Sequence, residues 1–410
     1  MLDMEAIKNF SIDKSDWQKV KFGDVVFEPK ESVKNPVAEG IEHVVGLEHI
    51  DSGDMHLRRS ENLDRSTTFT KKFGKGDVLF GRRRAYLKKA AKASFEGICS
   101  GDITVMRAKE ELLLPELLPF IVNNDKFFDH AIKHSAGGLS PRVKFKDLLN
   151  YEFNLPPTKR QKTILDLLKS VDEAIQERLG LLQAYKVHQS IYINELLTGK
   201  KRIGDKESNF VKTELGLIPE DWMVKKLGEV CSLKGGKRIP KGVSLESTDN
   251  GLPYLRVTDM TPLGVTTDNL MFVPEEVAPK INNYRISEGD LYISVAGTLG
   301  LVGAIPAELD GAYLTENADK LTDIIINKSY LMYYMRSSKI SSQIKSVTTV
   351  STQPKLALTR LREFWVAVPP KNEQVYIAHQ IYNQNKISEE MILGIQATKA
   401  VSHSIINQVF

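Results

Sequence analysis

The 410-residue sequence is written twice, and that repeat limits the folds open to it. At an offset of 213, Gly76-Asp77 aligns with Gly289-Asp290, Leu118 with Leu331, Lys126 with Lys339 and Pro141 with Pro354. The register continues through Leu148 with Leu361, Tyr151 with Phe364, Pro156-Pro157 with Pro369-Pro370 and Gln161 with Gln374. Upstream, Trp17 and Gly23 match Trp222 and Gly228 at an offset of 205, so the second copy has gained about eight residues in between. Such a chain is expected to build two similar modules related by a pseudo-two-fold internal repeat, not one large core.

Each copy runs in the same order: a mixed region of roughly 150 residues, a diproline, then a long helical pattern. Proline fixes its own φ and pushes its predecessor toward extended backbone, so each helix should begin just after the diproline, with Thr158 as the cap in copy one. In the first helix Ile164, Leu168, Val171, Ile175, Leu182, Tyr185, Tyr192 and Leu196 fall on alternating steps of four and three, or on a doubled step across Arg178 and Gln189. That is a heptad seam. The second helix repeats it with Ile377, Ile381, Met391, Ile395, Ile405 and Val409, diluted by Gln384, Ser388 and Thr398. At about 40 residues, or about 60 Å, both exceed an ordinary globular helix and are expected to pair with each other.

In the mixed regions short β-like runs (residues 77–80, 103–106, 291–294 and 364–368) are separated by Gly, Asn and Asp clusters. Residues 115–133 and 329–345 each read as a single amphipathic helix. Each region is therefore expected to be α+β with a twisted, mostly antiparallel sheet. The sequence suggests modules at 1–157 and 216–370, long helices at 158–198 and 371–410, and a linker at 199–215, where the polar, charged run 198–212 suits exposed chain.

A 41% hydrophobic and 26% charged composition is that of a folded globular chain. Its longest apolar stretch, 112–122, is interrupted by Pro115, Glu116 and Pro119, so no segment spans a bilayer and no membrane partner is expected. Met1 to Phe10 carries acids and no apolar h-region, and two cysteines form no disulfide framework; both features point to a reduced, cytoplasmic protein. Enzymatic signatures are missing: there is no GxxxxGK[ST] loop, no HExxH and no paired CxxC. Neither Asn154-Leu155-Pro156-Pro157 nor Val368-Pro369-Pro370-Lys371 matches the Asn/Asp-Pro-Pro-aromatic segment of an amino-methyltransferase. No catalytic residue and no cofactor is assigned. His43, His49 and His56 are the only loose histidine cluster, and no metal is assigned to them.

A net charge of +4 permits nucleic-acid binding without arguing for it, so the distribution of charge must decide. Residues 71–92 (KKFGKGDVLFGRRRAYLKKAAK) set nine basic residues against the single acid Asp77. Phosphate is the natural partner for that density; Arg82, Arg83 and Arg84 can also fork onto guanine edges, Tyr86 offers an aromatic face, and Lys88 and Lys89 add charge. A solvated basic surface is the plainer reading. A second glycine-rich basic loop, 136–144, brings Arg142 and Lys144. Copy two offers Lys237, Arg238 and Lys241 in a basic glycine loop, Arg256 on a candidate strand, and Lys355 after Pro354. The counterpart of the arginine run, 291–304 (LYISVAGTLGLVGA), carries no charge at all. Two modules that read different sequences on one scaffold would diverge in this way, as would drift of an unimportant surface.

The run Glu214-Leu215-Gly216-Leu217-Ile218-Pro219-Glu220-Asp221-Trp222, then Lys226-Leu227-Gly228-Glu229-Val230 and Gly236-Lys237-Arg238-Ile239-Pro240-Lys241-Gly242, resembles the opening of a target-recognition domain of type I restriction-modification specificity subunits. Gly76-Asp77-Val78-Leu79-Phe80, Gly289-Asp290-Leu291, the Pro-Pro-x-x-x-Gln steps and Leu196-Leu197-Thr198-Gly199-Lys200 fit the same pattern, and the resemblance covers essentially the whole chain. Copy one departs from it by lacking the Gly-x-Ile-Pro lead before Asp16-Trp17, and the second helix reaches Phe410 without an equivalent Thr-Gly-Lys. The resemblance implies two tandem target-recognition domains, each reading half of a bipartite double-stranded DNA site, joined by two long helices in an antiparallel coiled coil. Two methyltransferase subunits and two ATP-dependent restriction subunits would join them, and this chain would supply specificity only. About 60 Å of helix corresponds to roughly 18 base pairs, an upper limit on the span of such a ruler. A stand-alone tandem DNA-binding regulator and a self-contained methyltransferase or nuclease are the competing readings; the missing cofactor motifs count against the second.

Overall fold

A computed structural model describes residues 12–63, 67–205, 207–262, 264–348 and 355–410. Pro354 of the repeat alignment and the segment Met1 to Phe10 lie outside them. The chain divides into two compact units, residues 1–181 with 391–410, and residues 182–390.

Unit one holds two four-stranded sheets where the sequence suggested one. The first runs Val26–Phe27, Ile103–Ala108, Val78–Gly81, Ala90–Lys92, all antiparallel. The second runs Glu61–Asn62, His43–Val45, Gly97–Cys99, Lys71–Phe73, with one parallel pair between His43–Val45 and Gly97–Cys99. Side-chain alternation explains the two layers. Val78, Phe80 and Met106 face a helical layer bearing Phe127 and Phe128, whereas Leu79, Ala91 and Val105 face Val45, Phe73 and Cys99 of the second sheet. Every residue of Val78–Gly81 is buried, so the strand needs cover on both faces.

Unit two repeats the plan. Ser232–Gly235, Ala318–Thr322, Leu291–Ser294, Val302–Ala304 form one sheet, and Met271–Phe272, Pro253–Leu255, Ala312–Leu314, Arg285–Ile286 the other, again with one parallel pair. The sequence offsets reappear in the pairings. Gln18 pairs with Leu155 and Met223 with Val368; the bridge Arg83 to Arg142 recurs as Ala296 to Lys355.

Residues 115–133 and 329–345 are not single helices. The first breaks between Leu118–Val122 and Asp125–Lys133, where the Asn124 side chain accepts from the Lys126 amide; the second breaks between Lys328–Met335 and Ser338–Val347, where Ser337 caps Ile340. Capping satisfies amide donors that a continuous helix would bond internally, so a cap residue competes with helix continuation.

The long helices are Thr158–Thr198 and Lys371–Val409. Thr158 is the first helical residue, not the cap: the Pro157 carbonyl accepts from Arg160 and Gln161, as that of Pro370 does from Glu373 and Gln374. Proline fits there because it has no amide hydrogen to satisfy. The glutamine four residues on fastens each helix to its unit. Buried Gln161 donates to the Leu112 and Pro156 carbonyls and accepts from the Leu114 amide; buried Gln374 donates to the Pro369 carbonyl and accepts from the Asn327 amide.

Within each unit the helices pair antiparallel. In unit one Ile164, Leu165 and Leu168 share a core with Val401, Ile405, Ile406 and Val409. In unit two Leu196 and Leu197 share one with Ile377, Ala378 and Ile381, while Tyr185 donates to Gln384 Oε1 (2.8 Å), Gln189 to Asn385 (3.1 Å) and Tyr192 to Gln380 (3.2 Å). The polar positions that diluted the stripe belong to the seam: Ser388 and Thr398 are buried and Gln384 accepts the tyrosine proton. Such pairs fix register, since a slipped seam leaves them unpaired. The run 198–212 is not wholly exposed either. Arg202 is buried, and Phe210–Thr213 forms a hairpin with Gly216–Pro219.

Candidate nucleic-acid interface

In unit one the arginine run occupies the loop between Val78–Gly81 and Ala90–Lys92. Arg84 (φ 54°) and Lys88 (φ 48°) are left-handed and bracket a turn at Ala85–Leu87 that leaves Tyr86 and Leu87 exposed. Backbone strain of this kind in non-glycine residues is found where surrounding structure over-determines it, often at functional sites. The neighbouring loop supplies that structure. Arg83 and Arg142 form a backbone bridge, the Arg84 amide donates to the Pro141 carbonyl, and Ser140 Oγ accepts from Arg83 (3.0 Å) and Arg84 (3.3 Å).

Asp102 organises the platform from beneath. It accepts from Arg142 Nε (2.7 Å) and Nη2 (3.2 Å), lies 3.6 Å from Arg83, and its carbonyl accepts from the Arg82 amide. The hydrogen bonds from Arg142, joined by the charges of Arg83 and Arg82, hold the Asp102 carboxyl below the usual carboxylate range. One acid against Arg82, Arg83, Arg84 and Arg142 leaves the platform positive. Exposed Lys144 follows it, and Leu139, at the loop tip, is 97% exposed. Lys88 and Lys89 are part-exposed and each has a partner within the unit. Lys88 pairs with Asp125 (2.6 Å), which also accepts from Asn407, and Lys89 donates to the Leu47 carbonyl.

Unit two builds its platform at the equivalent place. The uncharged loop after Leu291–Ser294 bridges to exposed Lys355 through Ala296, and the Val295 amide donates to the Asn317 carbonyl, as Arg82 does to Asp102. The basic glycine loop lies against this turn. Gly236 and Lys237 donate amides to Ala318 and Leu314, and a Cβ on Gly236 would sit 2.0 Å from the Thr315 carbonyl oxygen, so only glycine fits. Lys237 lies over the Tyr284 ring at 5.6 Å, and Lys241 is exposed. Arg256 is clamped: Nε and Nη2 both donate to Asp259, and Nη2 also to the Asn269 carbonyl. Among the described residues Arg238 donates only its Nε, to Glu316 (2.6 Å). The partners Asp102, Ser140, Glu316 and Asp259 were not singled out in the sequence; only the Arg-x-x-Asp spacing of Arg256 and Asp259 offered a signal.

Among the described residues no group of three or more His, Cys, Asp or Glu side chains is placed to hold a metal ion, and no helix is long and apolar enough to cross a membrane. His43, His49 and His56 are engaged separately, with Ser60, the Gly46 amide and Asp172.

Two similar units with unlike basic platforms are matched by one family model, the type I restriction modification DNA specificity domain, at residues 14–182 and again at 219–394. The chain belongs to that family. It is a type I restriction-modification specificity subunit, the non-catalytic, DNA-recognising part of such a complex. It is 24% identical over 301 residues to the type I restriction enzyme MjaVIII specificity subunit of Methanocaldococcus jannaschii, covering 72% of this chain and 69% of that one. A putative MjaX specificity subunit of the same organism is 26% identical over 181 residues, covering 42% of this chain and 41% of that one. The fold of the specificity subunit is shared with a chain in a solved structure on complex assembly and conformational transition of the type I R-M system, with a TM-score of 0.62 at 20% identity, covering 95% of this chain and 96% of that chain.

Proposed function

We propose that each unit of this specificity subunit reads one half of a bipartite, asymmetric double-stranded DNA site. In this reading residues 1–157 and 216–370 are the two readers, helices 158–198 and 371–410 set the spacer between half-sites, and 199–215 connects them. The observation that carries it is the pair of platforms: the same backbone bridge in both, with arginines in one and an uncharged loop beside a basic glycine loop in the other. Equal scaffolds with unlike side chains read unlike sequences. The chain supplies no catalytic group and needs no cofactor; two methyltransferase and two restriction subunits dock on it in the cytoplasm. Val187, Ile191, Val375 and Tyr382 support docking on the helices, since each is more than half exposed on an element whose seam is already filled.

The test is co-expression with the methylating partner and mapping of methylated sites, which should return two short unlike half-sites around an unread spacer. Replacing Arg82, Arg83 and Arg84 with alanine should weaken DNA binding and flatten its salt dependence, by up to about 0.9 in log-log slope for each phosphate no longer neutralised. Unchanged affinity and slope in a binding titration would remove this platform from the interface.

A further inference from the structure

Arginine reads guanine by presenting two N–H groups to O6 and N7 at once, which requires a guanidinium whose outer edge is free and whose plane is already fixed. Unit two has two arginines at its platform, and they differ on this point. Arg256 has Nε and Nη2 on Asp259, a carboxylate that is itself almost wholly buried, and Nη2 also on a backbone carbonyl. Its fork faces inward. The Arg238 side chain is 75% exposed and gives only Nε to Glu316, so among the described residues both Nη groups have no protein partner.

Glu316 is built to hold that plane. It stands in the turn between Ala312–Leu314 and Ala318–Thr322, beside Asn317, whose carbonyl anchors the uncharged loop. Its Oε1 accepts from Arg238, while Oε2 accepts from Thr315 Oγ1 (3.1 Å) and lies 3.4 Å from Tyr254 Oη. Burial pulls its carboxyl upward, but the Arg238 hydrogen bond leads the groups that hold it below the ordinary value, so it stays charged. The loop carrying Arg238 is fixed as well, because Tyr254 Oη donates to the Lys237 carbonyl (2.8 Å) and Gly236 sits against the Thr315 backbone. A carboxylate that takes Nε and leaves the two Nη groups pointing to solvent turns a flexible side chain into an oriented fork.

We propose that Arg238 reads a guanine through the major groove in the half-site of unit two, and that Glu316 is its positioning residue. This rests on the reading of unit two as a DNA reader. The experiment uses the complete subunit assembled with its methylating partner and a DNA library randomised over both half-sites, comparing wild type with Arg238→Lys, Arg238→Ala, Glu316→Ala and Glu316→Gln. Arg238→Lys keeps the charge and loses the fork, so preference for guanine at one position of one half-site should fall roughly 10- to 100-fold while the salt slope barely moves. Glu316→Ala should relax the same position, and Glu316→Gln, which keeps an acceptor for Nε, should retain most of the discrimination. Preference at the remaining positions of the same half-site, unchanged in every variant, certifies that unit two keeps its fold. The proposal is overturned if Arg238→Lys and Glu316→Ala leave all base preferences intact, or if Arg238→Ala lowers the salt slope by about 0.9 without changing any preference, which marks a phosphate contact. A wild-type complex with no bipartite preference would instead remove the underlying functional reading, and that result is visible before any variant is made.

Discussion

At the residue scale, unit two has a buried ionic knot at Arg202. This side chain is 3% exposed, bonds both oxygens of Glu373 (1% exposed) and both of Asp221, and lies over the ring of Trp222, whose indole N–H donates to Glu373. Arg202→Met leaves Glu373 buried without its counter-charge and should cost about 3–5 kcal/mol, read by denaturant unfolding; replacing Glu373 with leucine as well should recover much of that loss. A second residue contributes through pH. Burial pushes the Asp319 carboxyl up to about 6, with Lys355 and Arg362 pulling it back, and among the described residues one of its oxygens has no hydrogen-bond partner. An acid raised in the folded state binds protons more tightly there than in the unfolded chain. Stability is therefore lost as pH rises toward about 6 and regained as it falls toward the ordinary 3.8. Asp319→Asn should stabilise the protein at neutral pH by about 1–2 kcal/mol, with allowance for solvent screening, and flatten the unfolding profile across that window. The sequence hid both sites for one reason. Arg202 lies in a run whose composition reads as solvated chain, and only the fold brings Glu373, 171 residues away, beside it. Lys88 and Lys89 show the converse, because basic density reads as an open surface until Asp125 is seen to pair with Lys88 and the Leu47 carbonyl to accept a hydrogen bond from Lys89.

At the scale of elements, periodic signals were legible and competitive ones were not. The heptad seam shows in sequence because a 41-residue helix repeats one geometric requirement many times. The breaks at Asn124 and Ser337 and the division of each module into two sheets depend on single caps and on which face of a short strand finds cover, so no period announces them. The Pro-Pro-x-x-x-Gln step was legible as a pattern but not as a device. Structurally it is a clasp: the Gln161 amide completes three backbone groups, two of them carbonyls. Gln161→Ala should strand these groups and cost about 1–3 kcal/mol, measured by thermal or denaturant unfolding of the full chain. Gln161→Glu, which loses its two amide donors, should also destabilise, whereas an exposed neighbour such as Lys162→Ala should change little.

At the scale of the whole molecule, the repeat is a division of labour. The strand pairings Gln18 with Leu155 and Met223 with Val368 keep one scaffold in both copies, while the loops after Val78–Gly81 and Leu291–Ser294 differ in charge, length and partners. Scaffold was legible because repeated hydrophobic and proline positions survive comparison of one copy with the other. The readers were only partly legible, since a base contact depends on which nitrogen atoms remain free after the protein has used the rest, as Arg238 and Arg256 show. Spacing is a separate matter, and in the proposed reading it belongs to the helices. Four residues inserted after Ala184 keep the heptad nearly in phase and lengthen the rod by about 6 Å, which should add one to two base pairs of unread spacer at about 3.4 Å each, with some loss of affinity from the accompanying rotation. The most direct measurement is methylome sequencing of cells in which residues 216–370 have been exchanged for the equivalent domain of another family member, expressed with the methylating partner. One half-site should change while the other half-site and the spacer length stay as they were. A map in which both half-sites change, or in which neither does, would contradict the claim that one chain carries two independent readers.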